Sequence, residues 1–364
     1  MKKKLCIVVD LFPPKYKGGT EMIVLEMAKE FSKTYDVHVV TKWHKRLKEN
    51  KKINFKIHAV KVKNKNYSIR FINTIGPFLE KIEKINPDII YARPFTPSGL
   101  ISIIYSKKHN TPVVTQCEGG DVRSNWLNFY EKIIVNYVIK NSTKIISATN
   151  EMKLIMEKKY HRKDVIVIPN GINVEEFKKA KSIKLNYPRP RILFIGRMDE
   201  MKGTEYLIRA FTNTNKLKHG SLILIGDGPL KEDLEKKYKK NENIFFLGSV
   251  EHNTIPSYMK SSDVFVLPSI DEAQGVVLSE ALASGMPIVA SNVGGIPELI
   301  KKENGILTKP KDYKSIEKAI IKILTNKKDL QKMKINNKKK ADKLSWKNIC
   351  TEYSSIFNKL INES

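Results

Sequence analysis

The stretch VFVLPSIDEAQGVVLSEALASGMPIVA, from Val264 to Ala290, decides the fold. Its first four residues, 264–267, are all apolar. A run so short and so uniformly apolar suits a strand covered on both faces, as in a parallel sheet. A polar loop follows, and Gly275 marks the start of a helix expected over 275–283. A second apolar run at 288–290 completes a strand–helix–strand unit.

The same alternation extends outward from this unit. Before it, the pattern predicts strands at 192–195, 222–225 and 244–247, with helices at 202–211 and 230–239. After it come helices at 296–301 and 313–324 and a last one at 346–361. The first half repeats the logic, with strands at 5–9, 37–41, 55–60, 88–91, 112–117, 144–148 and 165–168. Helices there are expected at 21–32, 69–85, 98–108, 126–140 and 151–160. Alternating β and α with short loops indicates open, doubly wound sheets. Pro169-Asn170-Gly171 demands a turn, and a polar Lys-rich segment ends in Tyr187-Pro188-Arg189-Pro190. The expected organisation is therefore a first domain over 1–170, a linker over 171–190, a second domain over 191–344 and a terminal helix over 345–364 that packs back toward the first. Two such domains imply two sheets whose carboxyl ends face a shared crevice.

Composition narrows the partners. The chain has 364 residues and a net charge of +28. An excess of this size suits a polyanionic partner, whether nucleic acid, an anionic membrane or a phosphorylated substrate; it also suits a merely Lys-rich surface. Its densest patch lies between Lys42 and Lys65, where Glu49 is the one acid. Cys6, Cys117 and Cys350 show no CxxC spacing, which argues against a disulfide framework or zinc site and fits a reducing compartment. The apolar run after Met1-Lys2-Lys3-Lys4 is too short for a signal peptide, and no stretch approaches the length of a membrane span. A cytoplasmic protein is expected, with any membrane contact peripheral.

Three places carry chemistry. Gly196-Arg197-Met198-Asp199-Glu200-Met201-Lys202-Gly203 follows a predicted strand, so Arg197 and Lys202 sit where backbone N–H groups and a helix dipole already favour anions. Two cations there suit a diphosphate, or are two solvated bases. In Glu272-Ala273-Gln274-Gly275-Val276-Val277-Leu278-Ser279-Glu280 the first acid lies on a loop and the second within the next helix. Carboxylates accept paired hydroxyls of a sugar or ribose; the plainer reading is a helix-end acid and an exposed one. Gly18-Gly19-Thr20 precedes the first helix, where a glycine pair lets backbone approach a phosphate. It lacks the spaced glycines of a dinucleotide fingerprint.

Together these residues resemble the retaining glycosyltransferases of family 4. The resemblance runs through GGTEM, IPNGI, GRMDEMKG, EAQGVVLSEALASGMPIVAS and VGGIPELI, and so covers nearly the whole chain. It implies an α/β fold of GT-B architecture: two Rossmann-like doubly wound domains facing a central cleft. It further implies that a sugar moves from a nucleotide-diphosphate donor to a glycan, lipid-linked or other hydroxyl acceptor, as in cell-surface polysaccharide synthesis. Arg197 and Lys202 would hold the diphosphate and stabilise the leaving group. Glu272 would face the donor sugar, and Glu280 the ribose. Amides of Gly275, Val276 and Val277 would meet sugar or phosphate, with Gly18 and Gly19 closing on the phosphates. One position departs from the family: Glu118, in VVTQCEGGDV, stands where many members carry His. In the family that His often contacts the donor sugar; Glu118 would play a related role, bind acceptor hydroxyls, or do neither and merely cap a helix near Arg123.

No Asp-x-Asp occurs, so no essential metal is expected and Arg197 and Lys202 supply the positive charge. Competing readings are a nucleotide-sugar epimerase or hydrolase on the same fold, a basic nucleic-acid-binding protein and an inactive scaffold. The second lacks an aromatic–basic stacking motif, a zinc finger or a helix-turn-helix. A basic face with the segment Trp126-Leu127-Asn128-Phe129-Tyr130 also suggests reversible docking of the first domain on anionic lipid.

Overall fold

The structure, a computed structural model, describes residues 1–13, 19–45, 47, 53–62, 67–117, 119–123 and 129–364. It divides into two units: Met1–Asn170 with Trp346–Ser364, and Gly171–Ser345.

In chain order the first unit holds β1 (Lys4–Val9), α1 (Gly19–Phe31), β2 (Asp36–Lys42), β3 (Lys56–Val60), α2 (Tyr67–Ile85), β4 (Ile89–Arg93), α3 (Leu100–His109), β5 (Val113–Cys117), α4 (Gly120–Arg123), α5 (Phe129–Asn141), β6 (Lys144–Ser147), α6 (Asn150–Tyr160) and β7 (Ile166–Val167). The second unit holds α7 (Val174–Lys179), β8 (Arg191–Ile195), α8 (Thr204–Thr212), β9 (Ser221–Ile225), α9 (Lys231–Tyr238), β10 (Ile244–Gly248), α10 (Ile255–Lys260), β11 (Val264–Leu267), α11 (Val276–Ser284), β12 (Ile288–Ser291), α12 (Ile296–Leu299), β13 (Gly305–Thr308), α13 (Tyr313–Thr325) and α14 (Lys327–Lys343). The last helix, α15 (Trp346–Glu363), belongs to the first unit.

Among the described residues both sheets are parallel throughout. Their strand orders are β3-β2-β1-β4-β5-β6-β7 and β10-β9-β8-β11-β12-β13. The uniformly apolar runs form the central strands because helices cover both faces: every residue of β4, β5, β9 and β11 is buried. α15 lays Tyr353 and Phe357 against Phe31 of α1, with ring centroids 6.1 and 5.4 Å apart. Tyr353 also reaches inward, donating its hydroxyl to Gln116 Oε1 at 2.6 Å.

The stretch 171–190 carries α7, whose Phe177 is fully buried in the core of the second unit. The short helices α4 and α10, the strand β13 and the helix α14 were likewise not anticipated. The last of these packs on α11 and adds Ala341 to the core, with a buried amide anchoring it to the flanking segments. Buried Asn337 donates to the carbonyls of Met286 at 2.6 Å and Asn304 at 3.0 Å. A side chain at Gly285, where φ is +69°, would run into Lys338 of α14.

The first unit carries one titratable pair of interest. His38 and His58, on adjacent strands, stack with ring centroids 5.0 Å apart and planes 7° apart. His58 Nε2 lies 2.9 Å from His38 Nδ1, and His38 Nε2 lies 3.2 Å from Asp36 Oδ2. All these contacts are satisfied when His58 donates to His38 and His38 donates to Asp36. Burial, reinforced by His38, Lys81 and Lys56, holds the His58 pKa down at about 4. An unfolded histidine titrates near ~6.5. Between those values the unfolded chain binds more protons, so stability should fall as pH drops through that window. We expect a lower urea midpoint at pH 5 than at pH 7.5, with a smaller drop in His58→Gln. An equal drop in that variant would contradict the assignment.

Candidate active site

In the second sheet the strand order reverses between β8 and β11. Loops leaving the carboxyl ends of such a pair diverge and open a crevice, the usual ligand position in open α/β sheets. Here those loops are residues 196–203 and residues 268–275, which contain Arg197, Lys202 and Glu272.

The first loop is held by its neighbour after β9. Met198 N donates to Asp227 O at 2.8 Å, and Leu230 N to Met198 O at 3.0 Å. So close an approach requires glycine at 226 and 228, where φ is +129° and +157°. A Cβ there would lie 2.0 Å from Gly196 O and 2.4 Å from Met198 O, respectively. The Asp199 side chain caps the following turn by accepting from Lys202 N at 3.0 Å. Ile270 N then donates to Met201 O at 2.7 Å and ties the two loops together.

Lys202 Nζ meets Glu272 Oε2 at 2.5 Å, with the side chains 26% and 11% exposed. Ser269 donates its hydroxyl to the same oxygen at 3.3 Å. The backbone of this acid is fixed as well: Gly295 N donates to the carbonyls of Glu272 at 3.3 Å and Ala273 at 3.1 Å. The Val-Gly-Gly segment thus braces the acidic loop. Arg197 is open by comparison. Its side chain is 70% exposed and pairs with Asp199 at 3.5 Å.

α11 begins at Val276 without a capping side chain, because Gly275 at φ +74° precedes it. The first amides of a helix have no partner inside it, so those of Val276 and Val277 face the loop end with the positive end of the dipole. Glu280, in the second turn, is buried and contacts His252 Nε2 through Oε1 at 3.1 Å.

The structure therefore brings Lys202 and Glu272 into direct contact and sets Arg197 on the same loop as Lys202. It gives Glu280 a separate partner, His252, that the sequence reading did not name. Ser269, Gly226 and Gly228 were likewise missed. The two glycines had a signal in Ile225-Gly226-Asp227-Gly228-Pro229, a glycine-spaced turn after a strand. Gly19 is the first residue of α1 in the first unit; it is exposed, and a Cβ there would meet nothing within 4 Å. Gly18 and Glu118 lie outside the described residues. Arg123, near Glu118 in sequence, pairs with Glu151.

Family models match almost end to end. "Glycosyltransferase Family 4" matches residues 17–176, and "Glycosyl transferases group 1" matches residues 173–340. An uncharacterized glycosyltransferase of Methanocaldococcus jannaschii is 26% identical over 349 residues, 95% of each chain. The UDP-Gal:alpha-D-GlcNAc-diphosphoundecaprenol alpha-1,3-galactosyltransferase of Escherichia coli is 27% identical over 281 residues, covering 71% of this chain and 72% of that one. Anabaena HepE, solved in complex with UDP-glucose, superposes with a TM-score of 0.80 at 19% identity, over 98% of this chain and all of the other. At that identity the match speaks for the fold, the paired parallel α/β sheets of GT-B proteins. With motifs, sheets and family models in agreement, the chain belongs to the group 1, family 4 glycosyltransferases of the GT-B fold.

Proposed function

We propose that this glycosyltransferase moves a sugar from a nucleoside-diphosphate sugar to a hydroxyl acceptor, with the donor seated on the second unit and its anomeric configuration retained. The observation that carries this reading is the Lys202–Glu272 pair across the reversal of strand order, a cation and a hydroxyl acceptor 2.5 Å apart where ligands sit in such sheets. Arg197 and Lys202 neutralise the departing diphosphate. Fixed charge aimed at a leaving group lowers the barrier without reorganisation at the moment of reaction. Glu272 accepts hydroxyls of the donor sugar and Glu280 those of the ribose, while amides of Gly275, Val276 and Val277 meet sugar or phosphate. Gly18 and Gly19 serve the phosphates, and Glu118 serves donor or acceptor hydroxyls. Charge supplied by side chains leaves no essential role for a metal. Proton NMR of the product should show the donor's anomeric configuration, with turnover unchanged by a chelator. An inverted linkage would remove the chain from this mechanism.

For the acceptor we propose a glycan or lipid-linked sugar at the inner membrane face, reached from the cytoplasm. The Escherichia coli relative is named for a diphosphoundecaprenol-linked acceptor. No helix among the described residues is long and apolar enough to cross a membrane. Of the basic cluster, Lys42 closes β2 in an ion pair with Asp10, while Arg46, Lys48, Lys51 and Lys52, like Trp126, lie outside the described residues. Lys45 is exposed. α5 offers firmer support. Phe129, Tyr130, Ile133 and Tyr137 are exposed on it, close together by helical spacing, with Lys107 over the Tyr137 ring. Binding to vesicles should need anionic lipid and fall as salt rises toward ~500 mM, because screening lengths shrink. Replacing Phe129 and Ile133 with Ser should weaken it by about tenfold or more, given roughly 1.5–3 kcal/mol per buried large apolar side chain. Equal partition onto neutral and anionic vesicles, or none onto either, would contradict docking.

A further inference from the structure

Glu280 and His252 reach each other from different parts of the second unit. His252 opens a 3-10 turn, His252–Thr254, on the loop that follows β10. That turn is closed by Thr254, whose amide and hydroxyl both donate to Glu251 O, at 2.9 and 2.7 Å. At its start the loop is pinned by Gly248 O, which accepts from Gly226 N at 2.8 Å, so it stacks on the glycine turn that shapes the Arg197 loop. His252 is thereby carried on a constrained backbone. Its side chain is 40% exposed, whereas that of Glu280 is 8% exposed.

A Glu side chain has several rotors, and a carboxylate accepts a vicinal diol well only when its plane and both oxygens are aimed at the pair of hydroxyls. A donor on one oxygen fixes that plane while leaving lone pairs on both. Nε2 of His252 is such a donor, 3.1 Å from Oε1, in the Nε2–H tautomer or when the ring is protonated. We propose that His252 is a positioning residue for ribose recognition: it holds the Glu280 carboxylate so that the vicinal hydroxyls of a ribonucleotide are selected over a deoxyribose. This rests on the reading of Glu280 as the ribose acceptor, and gives that site a specificity device of its own.

The experiment compares dissociation constants of UDP, ADP and GDP with those of their 2′-deoxy counterparts, for wild type and three variants. Wild type should prefer the ribonucleotide of at least one pair. Glu280→Ala should bring that preference close to one. His252→Ala should reduce it by about tenfold, the scale of one hydrogen bond to a charged group. His252→Gln, whose amide donates from a similar reach, should restore most of it. Because each ratio is taken within one variant, partial loss of folded protein does not alter it. An unchanged ratio in His252→Ala beside a collapsed one in Glu280→Ala would overturn this inference alone. An unchanged ratio in Glu280→Ala would overturn the ribose reading, and the inference with it. Failure of all three diphosphates to bind wild type would overturn the donor site itself.

Discussion

Lys202→Ala and Arg197→Ala should each lower turnover on the order of 10²–10³-fold, the usual consequence of losing one pre-organised stabiliser of developing charge. The leaving nucleoside diphosphate gains negative charge as the glycosidic bond breaks, and its attraction to these cations grows along the same coordinate. The two variants differ in their side effects. Arg197 is 70% exposed and pairs only loosely with Asp199, so its removal should leave folding unchanged. Removing Lys202 leaves Glu272, 11% exposed, with Ser269 as its remaining described donor, and should cost some stability too. Turnover at saturating donor, beside a thermal midpoint for each variant, separates the contributions. Wild-type turnover in both would end the assignment of this loop to the diphosphate.

The paired acids should divide by ligand part. Glu280→Ala is expected to weaken binding of a free nucleoside diphosphate by about 10–100-fold, as for loss of a charge-assisted hydrogen bond or two. Glu272→Ala should leave that binding near wild type and instead depress turnover and discrimination among donor sugars. Its contacts support the division, since Lys202 and the Ser269 hydroxyl meet it at the reversal of strand order whereas Glu280 faces His252 within α11. Calorimetric titration of the free diphosphate into both variants decides it. Loss of binding in Glu272→Ala with retention in Glu280→Ala would reverse the two roles.

Much of this architecture was readable because parallel strands buried on both faces leave uniformly apolar runs, and most of those runs became strands within a residue or two. β13 escaped because Gly305–Thr308 is only partly buried at the sheet edge and starts on glycine. α14 escaped for a different reason. Its sequence, KKDLQKMKINNKKKADK, has little apolar periodicity, and part of its attachment is the amide network of Asn337 and Asn304. In the site, charged residues on strand-to-helix loops could be found from their chemistry at that position. Lys202 meeting Glu272 could not be, because the contact depends on two strands distant in sequence becoming neighbours. The same holds for His252, an isolated histidine 28 residues before Glu280 until the loop after β10 meets α11. Gly226 and Gly228 were visible as a turn, but their purpose, letting Gly196 and Met198 approach, exists only in three dimensions.

If the second unit seats the donor at the point where its strand order reverses, a bound nucleotide must lie there. A structure of the protein bound to a nucleoside diphosphate, with UDP as the first probe, tests it most directly. The diphosphate is expected on Arg197, Lys202 and the amides at the start of α11, with the Lys202–Glu272 contact loosened as the lysine turns to phosphate. Both ribose hydroxyls are expected on Glu280. A diphosphate bound away from these residues, or a ribose held by Glu272 with Glu280 untouched, would contradict it.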